Sequence, residues 1–343
     1  MKKLSCFLIC IILFFMIVSS AYALEESQFR AQVFRVEGDH VQVEDTFGQR
    51  FDIDTSIGVG NGRRIHAGDK VIVNKVEMDD GSLRYFIVDM LRTPWVFGLI
   101  ILFIVSVIVF GRKHGFRSLI TVVVTLLLIV YVVIPLILDG WNPLFATMIG
   151  ISVALFFSIY FVYGWTKISH ASIIAILACM GLAGILSWFF ITMLSLSGFV
   201  SDEATYLVAI GFVNIDMRGL LLAAVLVGTL GVLDDVVVSQ VSVIQELQDN
   251  GVSDAKTLYA SAMRVGRNHM SSMINTLIFA YTGASFPLMI LFTLHQAPFD
   301  SISSIVNNEI VATELLRSLI GSIILLASVP LTTVIAIYVY RNK

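Results

Sequence analysis

The chain has 343 residues, 57% of them hydrophobic and only 14% charged, where an ordinary soluble domain carries about 25% charged residues. A formal net charge of -3 carries little information in such a chain, because the placement of basic residues matters more than their sum. The composition is that of an integral protein of the lipid bilayer and offers no basic surface for nucleic acid; with Cys179 alone outside the first ten residues, it also excludes a disulfide framework and a Cys-based metal cluster.

Lys2 and Lys3 precede an apolar run from Leu4 to Val18, followed by Ser19-Ser20-Ala21-Tyr22-Ala23. That order fits a cleavable secretory signal over residues 1–23; an uncleaved anchor would export the following segment just the same. From Glu25 to Arg92 the composition becomes that of a soluble domain, with apolar residues at period two in Gln32–Val36, Val41–Glu44, Arg50–Asp54, Asp69–Val76 and Arg84–Val88. Turn residues punctuate the runs at Gly38-Asp39, Gly48, Gly58–Gly62, Gly68-Asp69 and Asp79-Asp80-Gly81. The expectation for 25–92 is a small exported β-domain of five short strands, barrel-like and OB-like, suited to docking a protein partner.

Thr93-Pro94-Trp95 marks the entry to the bilayer. Apolar stretches of spanning length, about 20 residues each, then occupy 95–111, 118–138, 143–163, 172–194, 219–241, 271–294 and 316–339. The predicted fold class is an all-α membrane bundle of about seven transmembrane helices over 95–343. Basic residues concentrate on alternate connections: Arg112, Lys113 and Arg117, then Lys167, then Lys256, Arg264 and Arg267, then Arg341 and Lys343, with Arg218 alone on an opposite connection and Arg317 at the last entry point. The intervening connections hold Asp139, Asp202, Glu203, Asp216, Asp300 and Glu309. This bias predicts a bacterial cytoplasmic membrane protein with the N-terminal domain outside and the C-terminus in the cytoplasm. Tyr206–Val213 is apolar but too short to span, and 243–264 reads as two helical extensions broken at Gly251–Asp254.

Asp234 and Asp235 stand together inside the fifth predicted span. A charge at the centre of the hydrocarbon costs roughly 2.5–3.5 kcal/mol on insertion scales, so an intramembrane acid is a functional-site hypothesis by default. On a helix, Gly228, Gly231, Asp235 and Ser239 share one stripe, with Asp234 about 100° away. Asp235 is then the better candidate for contact with a ligand or proton, and Asp234 a tuner or packing partner. The next span is antiparallel to this one, and the expected cytoplasmic-half pocket joins Asp234, Asp235, Ser239 and Gln240 to His269, Asn275 and Thr276, with Ser272 beside them. Gly228 and Gly231 allow close helix packing, and Gly283 and Pro287 supply a hinge. The bland reading makes the two acids interhelical hydrogen-bonding groups.

The motifs Gly231-Val232-Leu233-Asp234-Asp235-Val236 with Gln240, Gly266-Arg267-Asn268-His269, Asn275-Thr276-Leu277 and Tyr281-Thr282-Gly283-Ala284-Ser285 resemble the YibE/F family of bacterial multi-pass membrane proteins. The Arg92-Thr93-Pro94 junction after a small exported β-domain also fits. The resemblance implies the architecture and adds nothing about a substrate.

The sequence therefore favours a permease or ion-coupled transporter of an unknown solute or ion over an enzyme. No cofactor is expected beyond a cation at Asp234 and Asp235, and no catalytic residue is assigned. One alternative is a Mg-dependent enzyme acting on a lipid-linked phosphate, the acids holding the metal. A non-catalytic assembly or receptor protein working through the β-domain is another, and homo-oligomerisation is compatible with either.

Overall fold

A computed structural model describes residues 27–54, 65–78, 81–211, 215–294 and 298–341. The expected signal at 1–23 lies outside them. The chain divides into two compact units, one ending at Ile120 and the other beginning at Thr121.

In the first unit, β1 (Gln28–Glu37), β2 (His40–Asp45), β3 (Arg50–Asp54), β4 (Lys70–Glu77) and β5 (Leu83–Met90) form an antiparallel sheet in the order β3-β2-β1-β4-β5. The period-two pattern sets its inner face: Ala31, Val33, Val41, Val43, Ile53, Val71, Val73 and Ile87 are buried together. Phe34 is the extra residue of a bulge in β1, between the paired positions Val33 and Arg35. The sheet curls enough to bring its outermost strands together, since the rings of Phe51 on β3 and Tyr85 on β5 are 4.6 Å apart. Phe29 of β1 completes this cluster at 5.1 Å from Phe51.

After Arg92, whose guanidinium donates to both oxygens of Asp89, helix α1 runs from Thr93 to Leu128. The six-residue loop expected between the first two spans is absent from the described chain. Residues 113–117 are helical, and the only non-helical backbone is at Arg112, with φ 49° and ψ -131°. A Cβ built on Gly115 would lie 2.3 Å from the Val107 carbonyl oxygen. Residues eight apart on a straight helix are separated by about 12 Å of rise, so α1 folds back on itself at Arg112.

A π-helical turn at Ile129–Val133 leads into α2 (Ile134–Leu138). Then follow α3 (Pro143–Tyr163), α4 (Lys167–Met193), α5 (Asp202–Ala209), α6 (Met217–Asp249), α7 (Ala255–Ala284), α8 (Phe286–Thr293), α9 (Ile302–Asn307) and α10 (Glu309–Arg341). Polar side chains start these helices by accepting from free first-turn amides: Asn142 from Leu144, Thr166 from Ser169, Ser201 from Ala204, Asp216 from Gly219 and Asp254 from Thr257. The short apolar stretch near Tyr206 is the amphipathic helix α5, and α6 and α7 extend past their spans up to the break at Asn250–Asp254, as the residue spacing predicts.

Among the described residues, five helical stretches are long and apolar enough to cross a membrane: 93–138, α3, α4, α6 and α10. The pair α7 and α8 qualifies jointly but is bent by 70°. The core of the second unit packs α4, α6 and α10 together through Ala171, Ala175, Cys179, Ala183, Val225, Val237 and Ile324. Small residues let these backbones approach closely, the usual basis of helix association in lipid. The ends of α4 and α10 are clasped as well: Lys167 Nζ lies 5.6 Å from the Tyr340 ring centre, and the Glu309 carboxylate accepts from Ser197 Oγ at 2.7 Å and Gly198 N–H at 3.2 Å.

Candidate functional site

Helix α6 is 33 residues long, about 50 Å at 1.5 Å per residue, and so outreaches the roughly 30 Å hydrocarbon layer. Asp234 lies about 26 Å from its start by the same rise. The two acids differ in surroundings. Asp234 is half-buried, and its Oδ1 is fully enclosed without a hydrogen-bond partner among the described residues. Asp235 is exposed, as are Gly228, Gly231 and Ser239 of its stripe. Tyr163, the last residue of α3, interacts electrostatically with both carboxylates.

Gln240 is only 4% exposed. Its Nε2 donates to the Ala262 carbonyl of α7 at 3.1 Å and to Thr333 Oγ1 of α10 at 2.9 Å. Those bonds occupy the amide in tying three helices together and turn it away from a ligand-binding role.

Two contacts set the register of α6 against α7. Gln240 meets Ala262 near one end, and the Tyr281 hydroxyl would lie 3.2 Å from a Cβ built on Gly228 near the other. Between them Val232 and Val236 pack with Met270, Met273 and Ile274, so the acids stand level with the middle of α7. The buried face of α7 is Leu258, Ala262, Gly266, Met270 and Leu277. His269 and Thr276 are exposed at the edge of that face, the Thr276 hydroxyl donating to the Ser272 carbonyl at 3.1 Å. Asn275, on the side of α7 opposite its buried face, is exposed too. The structure therefore puts Asp234 and Asp235 within electrostatic reach of Tyr163, with Ser239 one turn beyond Asp235 on its stripe. It gives Gln240 a packing role and turns Asn275 away from the acids.

Gly283 and Pro287 flank the 70° bend, which falls at Ser285, and Pro287 occupies the first turn of α8, where its missing N–H costs nothing. A second charged group stands on α10, where Arg317 donates to Glu314 at 3.1 Å and Arg317 Nε is buried without a partner among the described residues. Tyr281 interacts electrostatically with both. The sequence reading missed Tyr163 and this cluster. Tyrosines at span ends usually read as interface anchors, and the one available signal was that Glu314 and Arg317 are three apart on one helical face.

No group of three or more Asp, Glu, His or Cys residues able to hold a metal is present among the described residues. A buried unpartnered carboxylate oxygen in apolar surroundings does not persist as an uncompensated charge.

Fold and site together define a polytopic membrane protein with an acidic pair inside one of its apolar helices. The chain belongs to the YibE/F-like family, whose sequence model, described as YibE/F-like protein, matches residues 99–342. The match covers the helical region and leaves the five-stranded sheet outside it. No curated protein and no solved structure matches the chain.

Proposed function

We propose that this protein is a permease or ion-coupled transporter in which Asp234 and Asp235 bind a proton or a cation. The observation that carries the reading is the enclosed, unpartnered Oδ1 of Asp234 beside an exposed Asp235 on the same membrane-depth helix. Asp235, exposed beside Gly231 and Ser239 on its stripe, is the entry carboxylate; Asp234 holds the enclosed oxygen. A Mg-dependent phosphate enzyme is disfavoured, because no third acidic or imidazole ligand joins the pair among the described residues.

The same reading takes the two arms of α1 as separate crossings and the bent pair α7 and α8 as one, which gives seven. With a signal at the N-terminus, the positive-inside bias then places the sheet outside and the C-terminus in the cytoplasm of a bacterial inner membrane. The β3-to-β5 approach supports a half-closed OB-like barrel for the sheet, serving as a docking module.

The test is flux through the purified protein in proteoliposomes, read with a trapped pH-sensitive dye under an imposed proton gradient and, separately, Na⁺ or K⁺ gradients, with a solute panel. Protein-dependent movement lost in both Asp234→Asn and Asp235→Asn supports the reading. Movement equal to wild type in the double variant overturns it.

A further inference from the structure

On α7 the residues Arg264, Asn268, Ser271, Asn275, Ile278 and Thr282 follow one another at spacings of four and three, the alternation that keeps one stripe of a helix against a neighbouring helix over several turns. The stripe lies opposite the buried face of Ala262, Gly266, Met270 and Leu277. Arg264, Asn268, Ser271, Asn275 and Ile278 are exposed, and Thr282 is half-buried. The Ser271 hydroxyl donates to the Arg267 carbonyl of its own helix at 3.1 Å, and neither the Asn268 nor the Asn275 amide has a side-chain hydrogen bond among the described residues. The contacts of Gln240 with Ala262 and of Gly228 with Tyr281 set residues 268–275 alongside 228–240 of α6, a helix long and apolar enough to cross a membrane. Lipid tails offer no hydrogen bonds, so they cannot cover two amides at that depth without leaving them unsatisfied.

We infer that this stripe is where α7 pairs with α7 of a second copy of the chain. Copies inserted the same way up hold their α7 helices parallel, so each stripe residue meets its own counterpart at one depth. An Asn amide both donates and accepts; Asn268 and Asn275 therefore each complement their counterpart, as an Asn does where it fixes the register and partner of a coiled coil. Ser271 between them is small enough for the backbones to come close. A different protein would have to bring polar groups of matching spacing and depth, whereas a second copy carries them by construction. Arg264 ends the seam on one side, its long side chain turning to water and away from its counterpart, and the 70° bend at Ser285 ends it on the other. Pairing of this kind requires α7 to lie in the membrane and no part of the transporter reading.

The test is disulfide trapping in native membranes. Ser271→Cys, on the seam, and Thr276→Cys, exposed but about 100° from Asn275 around the helix, are introduced separately into the full chain carrying Cys6→Ala and Cys10→Ala; Cys179 is buried. Under copper-phenanthroline oxidation, Ser271→Cys is expected to give at least ten times more covalent dimer of the chain than Thr276→Cys. Adding Asn268→Val and Asn275→Val, which replace the amides by groups that lipid accepts, is expected to lower that yield at least fivefold. Light scattering of the purified protein in detergent should then count two chains per particle for wild type and one for the double variant, whose single cooperative unfolding transition shows that it is folded. Equal dimer yields from the two cysteines, a trapped product with a different protein, or a dimer that persists undiminished in the folded double variant overturns the pairing.

Discussion

Gln240 Nε2 and Thr333 Oγ1 are 2.9 Å apart in a buried contact between α6 and α10, and the same amide reaches the Ala262 carbonyl of α7. Thr333 already donates to the Val329 carbonyl, so removing the amide leaves its hydroxyl satisfied. Gln240→Leu should therefore cost only about 1–2 kcal/mol, the net worth of the lost bonds, and Gln240→Ala more because it adds a cavity. Thermal unfolding of the purified protein in detergent measures the order; a Gln240→Leu protein no more stable than Gln240→Ala would contradict it.

Gly266 lies against that contact. A Cβ there would sit 2.8 Å from Gln240 Oε1 and 2.5 Å from Val329 Cγ1, so Gly266→Ala should destabilise by about 1–3 kcal/mol through overpacking. Combined with Gln240→Ala, which vacates space beside the new methyl, the loss should be smaller than the two single losses added together. Strict additivity in the same unfolding assay would show that Val329 alone resists the methyl.

Asp234→Asn replaces an enclosed carboxylate by an uncharged group of equal size. Its unfolding temperature in detergent should stay equal to wild type or rise, since an uncharged amide costs less to enclose without a partner than a group that can ionise. Any stabilisation of the wild-type protein by added Na⁺ or K⁺ should vanish in the variant. A large destabilisation would instead make Asp234 an interhelical hydrogen-bonding group that the structure leaves unpaired.

Much of this arrangement is legible in the residues themselves. Alternation of apolar side chains places all five strands, and the break ending at Asp254 marks the start of α7. The reversal after the first span was legible at 112–117, but its compactness was not, because residues 113–117, rich in basic side chains, look like a loop yet are helical and leave Arg112 alone to turn the chain. Helical spacing correctly groups Gly228, Gly231, Asp235 and Ser239. It cannot say how a neighbouring helix is rotated, which is why Asn275 was expected to face the acids and Tyr163 was not. Gln240 is adjacent to Ser239 in sequence but on another face, and only packing against α7 and α10 reveals its role.

Glu309 clasps the turn after α4 through Ser197 and Gly198. That turn holds Ser195 at φ 52°, a left-handed conformation that needs outside support in a residue with a side chain. The Ser197 N–H also donates to Glu309, so Glu309→Ala leaves the amides of Ser197 and Gly198 without their acceptor, at a cost of about 1.5–3 kcal/mol for bonds to a charged group. Hydrogen exchange should accelerate at Ser197 and Gly198 while the middle of α4 keeps its protection. Unchanged exchange at those two amides would assign the turn's stability to the packing of Leu196.

Asp254 starts α7 by accepting from the Thr257 hydroxyl at 2.7 Å and the Thr257 N–H at 2.8 Å. These two bonds hold its carboxyl below the usual carboxylate range, while in the unfolded chain it titrates near the ordinary value of about 3.9. The folded state thus binds the proton less readily, and the stabilisation is complete above about pH 5 and fades as pH falls through the folded value. Amide exchange at Lys256, Thr257 and Leu258, corrected for intrinsic rates, should accelerate in wild type on acidification from about pH 5 to pH 3. In Asp254→Asn, which still caps but does not titrate, the acid-dependent acceleration should disappear, and in Asp254→Ala exchange should be fast throughout. An acid response that survives in Asp254→Asn would trace it to another carboxylate.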